Sequence, residues 1–161
     1  MGGGILPVAI YKGEIYFLFG RESRHIEHKA SGLWSDFGGA PERKENRMET
    51  AAREGWEETE GVLGSHKHIK FMVENKCIKR FNMKHYTSFV IPIYYTKSII
   101  KKHKKIYEDA WKKTPELVLK ENGIYEKDRM KWFTIEELER NIKQFRPWYR
   151  TIVKKIIKYY K

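Results

Sequence analysis

Cysteine is nearly absent: Cys77 is the only one in 161 residues. An internal disulfide is therefore excluded, and the composition fits a reducing compartment. No apolar run approaches membrane-spanning length, and the N-terminus lacks a secretory pattern. We therefore expect a cytoplasmic protein without stable membrane association. Proline is sparse, at five residues, and no Pro- or Gly-rich linker or internal repeat divides the chain, so one domain over 1–161 is expected. Acidic residues are outnumbered, 21 against 33 Lys and Arg, for a formal net charge of +12. That excess points to polyanionic partners: RNA, nucleotides, inositol phosphates or an anionic surface. Aromatic residues make up 14%, too many for a disordered chain.

Against this basic background one stretch is acidic. Residues 38–62 read GGAPERKENRMETAAREGWEETEGV. Glu54, Glu57 and Glu58 have the i, i+3, i+4 spacing that puts side chains on one helical face, within an arc of roughly 100°. Carboxylates so close repel one another unless a cation neutralises them, and hard oxygen ligands suit Mg²⁺ or Mn²⁺. Arg53 lies four residues before Glu57, where an ion pair can hold that carboxylate. Gly38-Gly39 permits a sharp turn and close approach to a ligand, with the Gly39 carbonyl as a further metal donor. Asn46 is placed to cap the helix.

Starting at Gly39, five residues lead to Glu45, seven more to Arg53-Glu54, and Glu57-Glu58 follow after two. This spacing resembles the Nudix hydrolase signature, G-x5-E-x7-R-E-U-x-E-E-x-G-U with U apolar. Two positions depart from it. Gly55 stands where a bulky apolar residue is usual, and Gly61-Val62 comes one residue late, after Glu60. The resemblance implies an α/β/α sandwich with a mixed sheet, and hydrolysis of a pyrophosphate bond in a nucleoside diphosphate linked to another group. It also implies direct metal ligation by Glu54 and Glu58, with Glu57 shared between the metal and Arg53. Glu57, Glu58 and Arg53 are thus the catalytic candidates within the motif, and Glu45 supports them from the loop. Many Nudix enzymes draw their general base from a glutamate outside the motif. By its position before the last strand, Glu126 is the candidate here, with Glu121 and Asp128 as competitors.

Around the motif, alternation and turn residues predict strands at 5–11 and 15–20 joined by Lys12-Gly13-Glu14, with Gly2 to Gly4 as a flexible lead-in. Pro7 suggests an edge strand or a strand start. A short strand is expected at 33–37, a hairpin at 69–74 and 76–81 turning at Asn75, a long strand at 85–95 and a last one at 130–133. His66, His68 and His85 read as strand surface. His25 and His28 have no third ligand nearby and read as loop rather than metal centre. A basic helix is expected at 97–113, a connector at 115–123, and a helix capped by Thr134 to about Lys143. The tail from Pro147 carries an apolar stripe, Tyr149, Ile152, Val153, Ile156 and Tyr160, read as packing on the domain, with a membrane-surface helix as the alternative. Strands on both sides of one acidic helix make this an α+β chain.

Within 97–113, KKHKK at 101–105 reads as a solvated face, a phosphate-binding patch or a nuclear import signal. Lys101, Lys102, Lys104 and Lys105 are accordingly candidate substrate contacts, with Trp34 (and Phe81 or Tyr86) as stacking surfaces for a base. These features favour the 5′ end of capped RNA as substrate. Nucleotides, diphosphoinositol polyphosphates and a non-catalytic RNA-binding role stand as alternatives.

Overall fold

Lys12 and Gly13 both take positive φ (51° and 79°), the type I′ geometry that follows the twist of the strands it joins. They connect β1 (Gly2–Tyr11) to β2 (Glu14–Glu22), with Tyr11 opposite Glu14. The structure, a computed structural model, describes residues 1–25, 29–120 and 124–161. The next elements are β3 (Trp34–Ser35), β4 (Phe37–Gly39), α1 (Arg47–Glu58), α2 (His66–Asn75), β5 (Lys79–Asn82) and β6 (Tyr86–Pro92). Then come α3 (Ser98–Lys113), the single turn α4 (Pro115–Val118), β7 (Lys127–Phe133) and α5 (Ile135–Arg140). Two 3-10 turns, Ile142–Gln144 and Pro147–Tyr149, lead into α6 (Arg150–Tyr160).

The sheet is mixed and forked. Its order is β3-β2-β1-β6-β5, with β4 also on β1 and β7 also on β2. β1 runs parallel to β6 but pairs antiparallel with β2 through Val8–Tyr11 and with β4 through Gly3–Ile5. Pro7 falls in the gap between those two pairings. The Val8 carbonyl accepts from Ile93 N on the β6 side, so the neighbouring Pro7 main chain faces the fork, where no strand asks for an N–H. Pro7 therefore sits in a central strand rather than at an edge.

Side-chain alternation sends two sets of residues to opposite faces. Ile5, Leu18, Phe89 and Trp132 pack with Ala51 and Ala52 of α1, Ile69 and Val73 of α2, and Ile99 of α3. Leu6, Phe17, Phe19, Val90 and Phe133 pack with Leu138 of α5 and Ile152, Val153 and Ile156 of α6. The expected α+β layering, helices on both faces of a mixed sheet, is the one observed. Tyr149, Ile152, Val153 and Ile156 are fully buried, which leaves α6 no apolar face for a membrane. Among the described residues no helix is long and apolar enough to cross one.

Three local expectations change. Gly2 to Gly4 are not a lead-in but buried residues of β1. A Cβ on Gly3 would collide with the Arg47 carbonyl at the start of α1, and one on Gly4 with the Tyr86 hydroxyl. The hairpin expected at 69–81 is instead helix α2 followed by β5. Ser65 caps that helix by accepting from His68 N at 3.1 Å, and the buried pair Ile69 and Val73 is four residues apart, a helical period. His66 and His68 thus lie on a helix, while His85 lies in the turn between β5 and β6. In α3 the buried side is Ile99, His103, Tyr107 and Ala110, so the KKHKK run turns its histidine inward and its lysines outward.

Gly55 has a physical reason. A Cβ there would fall 2.7 Å from Ile5 Cδ1 and 2.8 Å from Ile5 Cγ1, so Ile5 on the sheet fills the space that a bulky helix residue would take. Gly55→Leu is expected to cost about 1–3 kcal/mol by overpacking. Combined with Ile5→Ala, part of that loss should return, with a favourable coupling of about 1 kcal/mol in urea-unfolding double-mutant cycles. Strictly additive losses would contradict this account.

Candidate active site

Asn46 starts α1. Its side chain accepts from Glu49 N at 2.8 Å, while Glu49 Oε1 accepts from Asn46 N at 3.1 Å, a reciprocal capping box. With the first turn so fixed, Arg53 one turn later points back at the loop. Its Nε donates to Glu45 Oε2 at 2.9 Å and its Nη2 to Glu45 Oε1 at 3.0 Å, a two-pronged contact. Nη2 also donates to the Ala40 carbonyl at 3.0 Å. Nη1 donates to Glu54 Oε1 at 3.1 Å and Glu57 Oε2 at 3.3 Å, with Glu42 at 3.6 Å. Four carboxylates thus surround one guanidinium, and Glu45 takes the best of it. That pairing pulls the Glu45 carboxyl down to about 2.

Glu54 and Glu57 are left short of positive charge. Burial, only partly offset by Arg53 and reinforced by Glu57, pushes the Glu54 carboxyl up to about 7. Burial also raises Glu57, with the same partial offset from Arg53. Glu58 points elsewhere: it is buried, and its Oε1 accepts from Gly38 N at 2.8 Å. Burial holds its carboxyl well above the usual range, although Lys127 acts against this. Lys127 is itself buried, donating to Glu22 Oε1 and Ser35 Oγ, both at 2.7 Å.

The glycine turn lies between the two inward carboxylates. A Cβ on Gly39 would fall 2.7 Å from Glu54 Oε1, so only glycine lets that side chain rest against the strand. The Gly39 carbonyl does not face the acids, as expected from sequence, but lies against Gly2 of β1. Because Gly38 N–H reaches Glu58, away from β1, the Gly38 carbonyl shares that outward side. The Gly38 main chain, rather than that of Gly39, therefore faces the helix acids.

Of the outside carboxylates, Glu126 is the one whose charge raises Glu54, Glu57 and Glu58 alike. Asp128 is engaged elsewhere, by Arg21 at 2.8 Å and Arg24 at 3.5 Å. Glu121 and His28 lie outside the described residues. The stacking surfaces fail. Trp34 is 5% exposed and packs edge-on against Phe133, while Phe81 and Tyr86 are buried as well, so none can hold a base. Lys101, Lys102, Lys104 and Lys105 are exposed on α3, where Lys104 pairs with Glu108 and Lys105 with Asp109. Lys104 also lines a cleft of about 460 Å³ with Arg21, Arg24 and Arg129. No hydrogen bond or ion pair joins these lysines to the acid cluster among the described residues.

Sequence reasoning missed Lys127, Asp36 and His103. His103 Nε2 lies 3.3 Å from the Glu58 carbonyl, which fixes the proton on that nitrogen. Burial lowers His103 to about 4. Asp36 accepts from Tyr86 Oη at 2.6 Å and Ser88 Oγ at 2.7 Å, with burial raising it to about 6. The last strand expected from sequence began only at residue 130, so nothing local marked this network.

The sequence model of the NUDIX domain matches residues 6–156. The chain belongs to the Nudix family. It is a Nudix hydrolase, acting on a pyrophosphate bond, with every charged position of the motif in place. Solved structures with this fold include a C. elegans Ap4A hydrolase binary complex (13% identity, TM-score 0.55, covering 99% of this chain and 97% of that one). Another is the M. smegmatis Nudix hydrolase RenU (10%, TM-score 0.52, 98% and 83%). A third is a bifunctional NMN adenylyltransferase/ADP ribose pyrophosphatase from Francisella tularensis, complexed with AMP and a Mn ion (15%, TM-score 0.53, 97% and 41%). At these identities the likeness is one of fold. A search of curated proteins gave no match.

A divalent ion fits this Nudix donor set. Among the described residues no three His, Cys, Asp or Glu side chains already close a cage, because Glu54 and Glu57 share Arg53 instead. The donors are nonetheless all hard oxygens, and a buried Glu54 only partly compensated by Arg53 is an environment that suits a cation. Glu54, Glu57, Glu58 and Gly38 are the residues that would hold it.

The raised carboxyls bind their protons more tightly folded than unfolded. Glu54 and Glu60 (raised by burial to about 7) and Asp36 contribute stability that is complete below about pH 4 and lost as pH rises through 6–7. Glu57 and Glu58 act in the same direction. Glu45 contributes above its ordinary 4.5 and loses that contribution as pH falls toward 2. His103, held down, opposes the raised group as one against five. Melting in EDTA should therefore give the highest Tm near pH ~5, falling toward pH ~8, with Glu54→Gln flattening the slope. A Tm that climbs from pH ~5 to ~8 would contradict the assigned shifts.

Proposed function

We propose that this Nudix hydrolase is a divalent-metal-dependent enzyme that cleaves a diphosphate linkage carried on a polyanion, first among them the 5′ end of capped RNA. The observation that carries the hydrolase chemistry is the Arg53 cluster, with Glu54 and Glu57 on Nη1 and Glu58 on the Gly38 main chain. A diphosphate repels nucleophiles through its own charge, and a bound Mg²⁺ or Mn²⁺ screens that charge and lowers the pKa of water.

The chain's own residues do the rest. Arg53 orients Glu54 and Glu57 and ties both to the loop through Glu45. Gly38 N–H pins Glu58 beside the strand. Glu126 is our candidate to take the proton from the attacking water, supported by the electrostatic reach of its carboxylate to all three motif acids. The net charge of +12 supports RNA over a free nucleotide, which needs far less positive charge. With Trp34, Phe81 and Tyr86 buried, base stacking in the cleft no longer supports the cap itself.

Incubation of capped RNA, free cap analogue, diphosphoinositol phosphates and a nucleotide panel with Mg²⁺ or Mn²⁺ separates the substrates. Release of methylated GDP from capped RNA is the expected result, and its absence alongside turnover of another substrate would remove the RNA reading. Glu126→Gln should lower kcat on the order of 10²- to 10⁴-fold with little change in KM. Glu58→Gln should abolish turnover while RNA binding survives. Only residual, background-level turnover, equal in wild type and Glu58→Gln, would favour a non-catalytic polyanion binder.

A further inference from the structure

On the face of the sheet opposite α1, the edge strand β5 and helix α6 enclose a groove of about 520 Å³. That volume lies within the roughly 300–1,000 Å³ of ligand sites. Lys79, Phe81, Asn82, Lys155, Lys158 and Tyr159 line it, and among the described residues no acidic one does. Arg80 borders the groove, but its side chain turns to the other face, over Phe89 and toward Met48.

Exposed lysines on a helix are usually a solvated face, and three features set these apart. Lys155 Nζ donates to the Asn82 carbonyl at 2.6 Å, bridging α6 to the end of β5 and fixing the groove's width. Lys79 Nζ sits 4.4 Å from the Tyr159 ring centroid and 5.7 Å from that of Phe81, so its charge is held over aromatic rings rather than by a carboxylate. Tyr159 meets Tyr160 and Phe81 edge-on and is 56% exposed, a surface aromatic held upright in a cationic groove. Cations flanking an exposed ring make the combination that grips a single strand: phosphates on the charges, a base on the ring.

We propose that this groove binds single-stranded RNA, with Lys79 and Lys158 on backbone phosphates and a base stacked on Tyr159. The inference deepens the RNA reading above and rests on it only for what the captured strand is used for. Anionic lipid is the weaker fit, because Ile152, Val153 and Ile156 of α6 are buried and no apolar side is left to enter a bilayer.

The test is fluorescence anisotropy of the full chain with a short uncapped oligoribonucleotide in EDTA, titrated with salt. Lys79→Ala/Lys158→Ala should weaken binding about tenfold or more and reduce the slope of log K against log salt by about 1.4, at about 0.7 per phosphate. Tyr159→Ala should weaken binding at least about fivefold, and Tyr159→Trp should restore it. Unchanged affinity and slope in the lysine variant would overturn the proposal. So would loss of phosphatidylserine-vesicle binding with RNA binding intact. Turnover of free cap analogue with Mg²⁺ should be the same in wild type and variants. Absence of turnover in all of them would count against the cap as substrate and leave the binding result standing.

Discussion

One guanidinium faces four carboxylates, and much of the site follows from that imbalance. Arg53 satisfies Glu45 with two hydrogen bonds and has a single nitrogen left for Glu54 and Glu57. The same contacts join the loop after the glycine turn to the middle of α1, so the acids are positioned by a residue that cannot neutralise them all. A buried charge without full compensation shifts its pKa or recruits a cation. Glu54, raised by burial to about 7, shows the first response.

Close approach is the other constraint. Gly3 lets α1 begin against β1, Gly55 lets it lie over Ile5, and Gly39 lets Glu54 rest on β4. Each contact removes a Cβ from a seam where backbone meets helix. The fork of the sheet adds to this: β4 leaves β2's line and offers Gly38 outward, so the helix acids and the strand main chain meet at one edge. Arginine and glycines thus act together, the one pulling acids toward the loop and the others admitting them to it.

Arg53 and Lys127 stand beside the motif acids, whereas the lysines of the β5–α6 groove lie away from them. Helix α1 covers one face of the sheet, while the Lys79–Tyr159 groove lies on the other, at the β5 edge. A substrate small enough to fit beside Arg53 would not feel that groove, whereas a long polyanion could engage both.

Spacing along the chain was enough to determine whatever depends on a few neighbouring residues. The i, i+3, i+4 glutamates, the Asn46 and Thr134 caps, the Lys12-Gly13 turn and the buried stripe of α6 were all legible, because a helix or turn converts sequence separation directly into direction. Trp34, α2 and the choice of Gly38 over Gly39 were not. Whether Trp34 meets solvent depends on Phe133, a hundred residues away, and whether 66–75 coils or extends depends on which period buries Ile69 and Val73. Lys127 behind Glu58 likewise comes from a distant strand, and Glu126, whose charge raises the motif acids, immediately precedes it. Local geometry made the acid helix, and only the packed sheet decided what faces it.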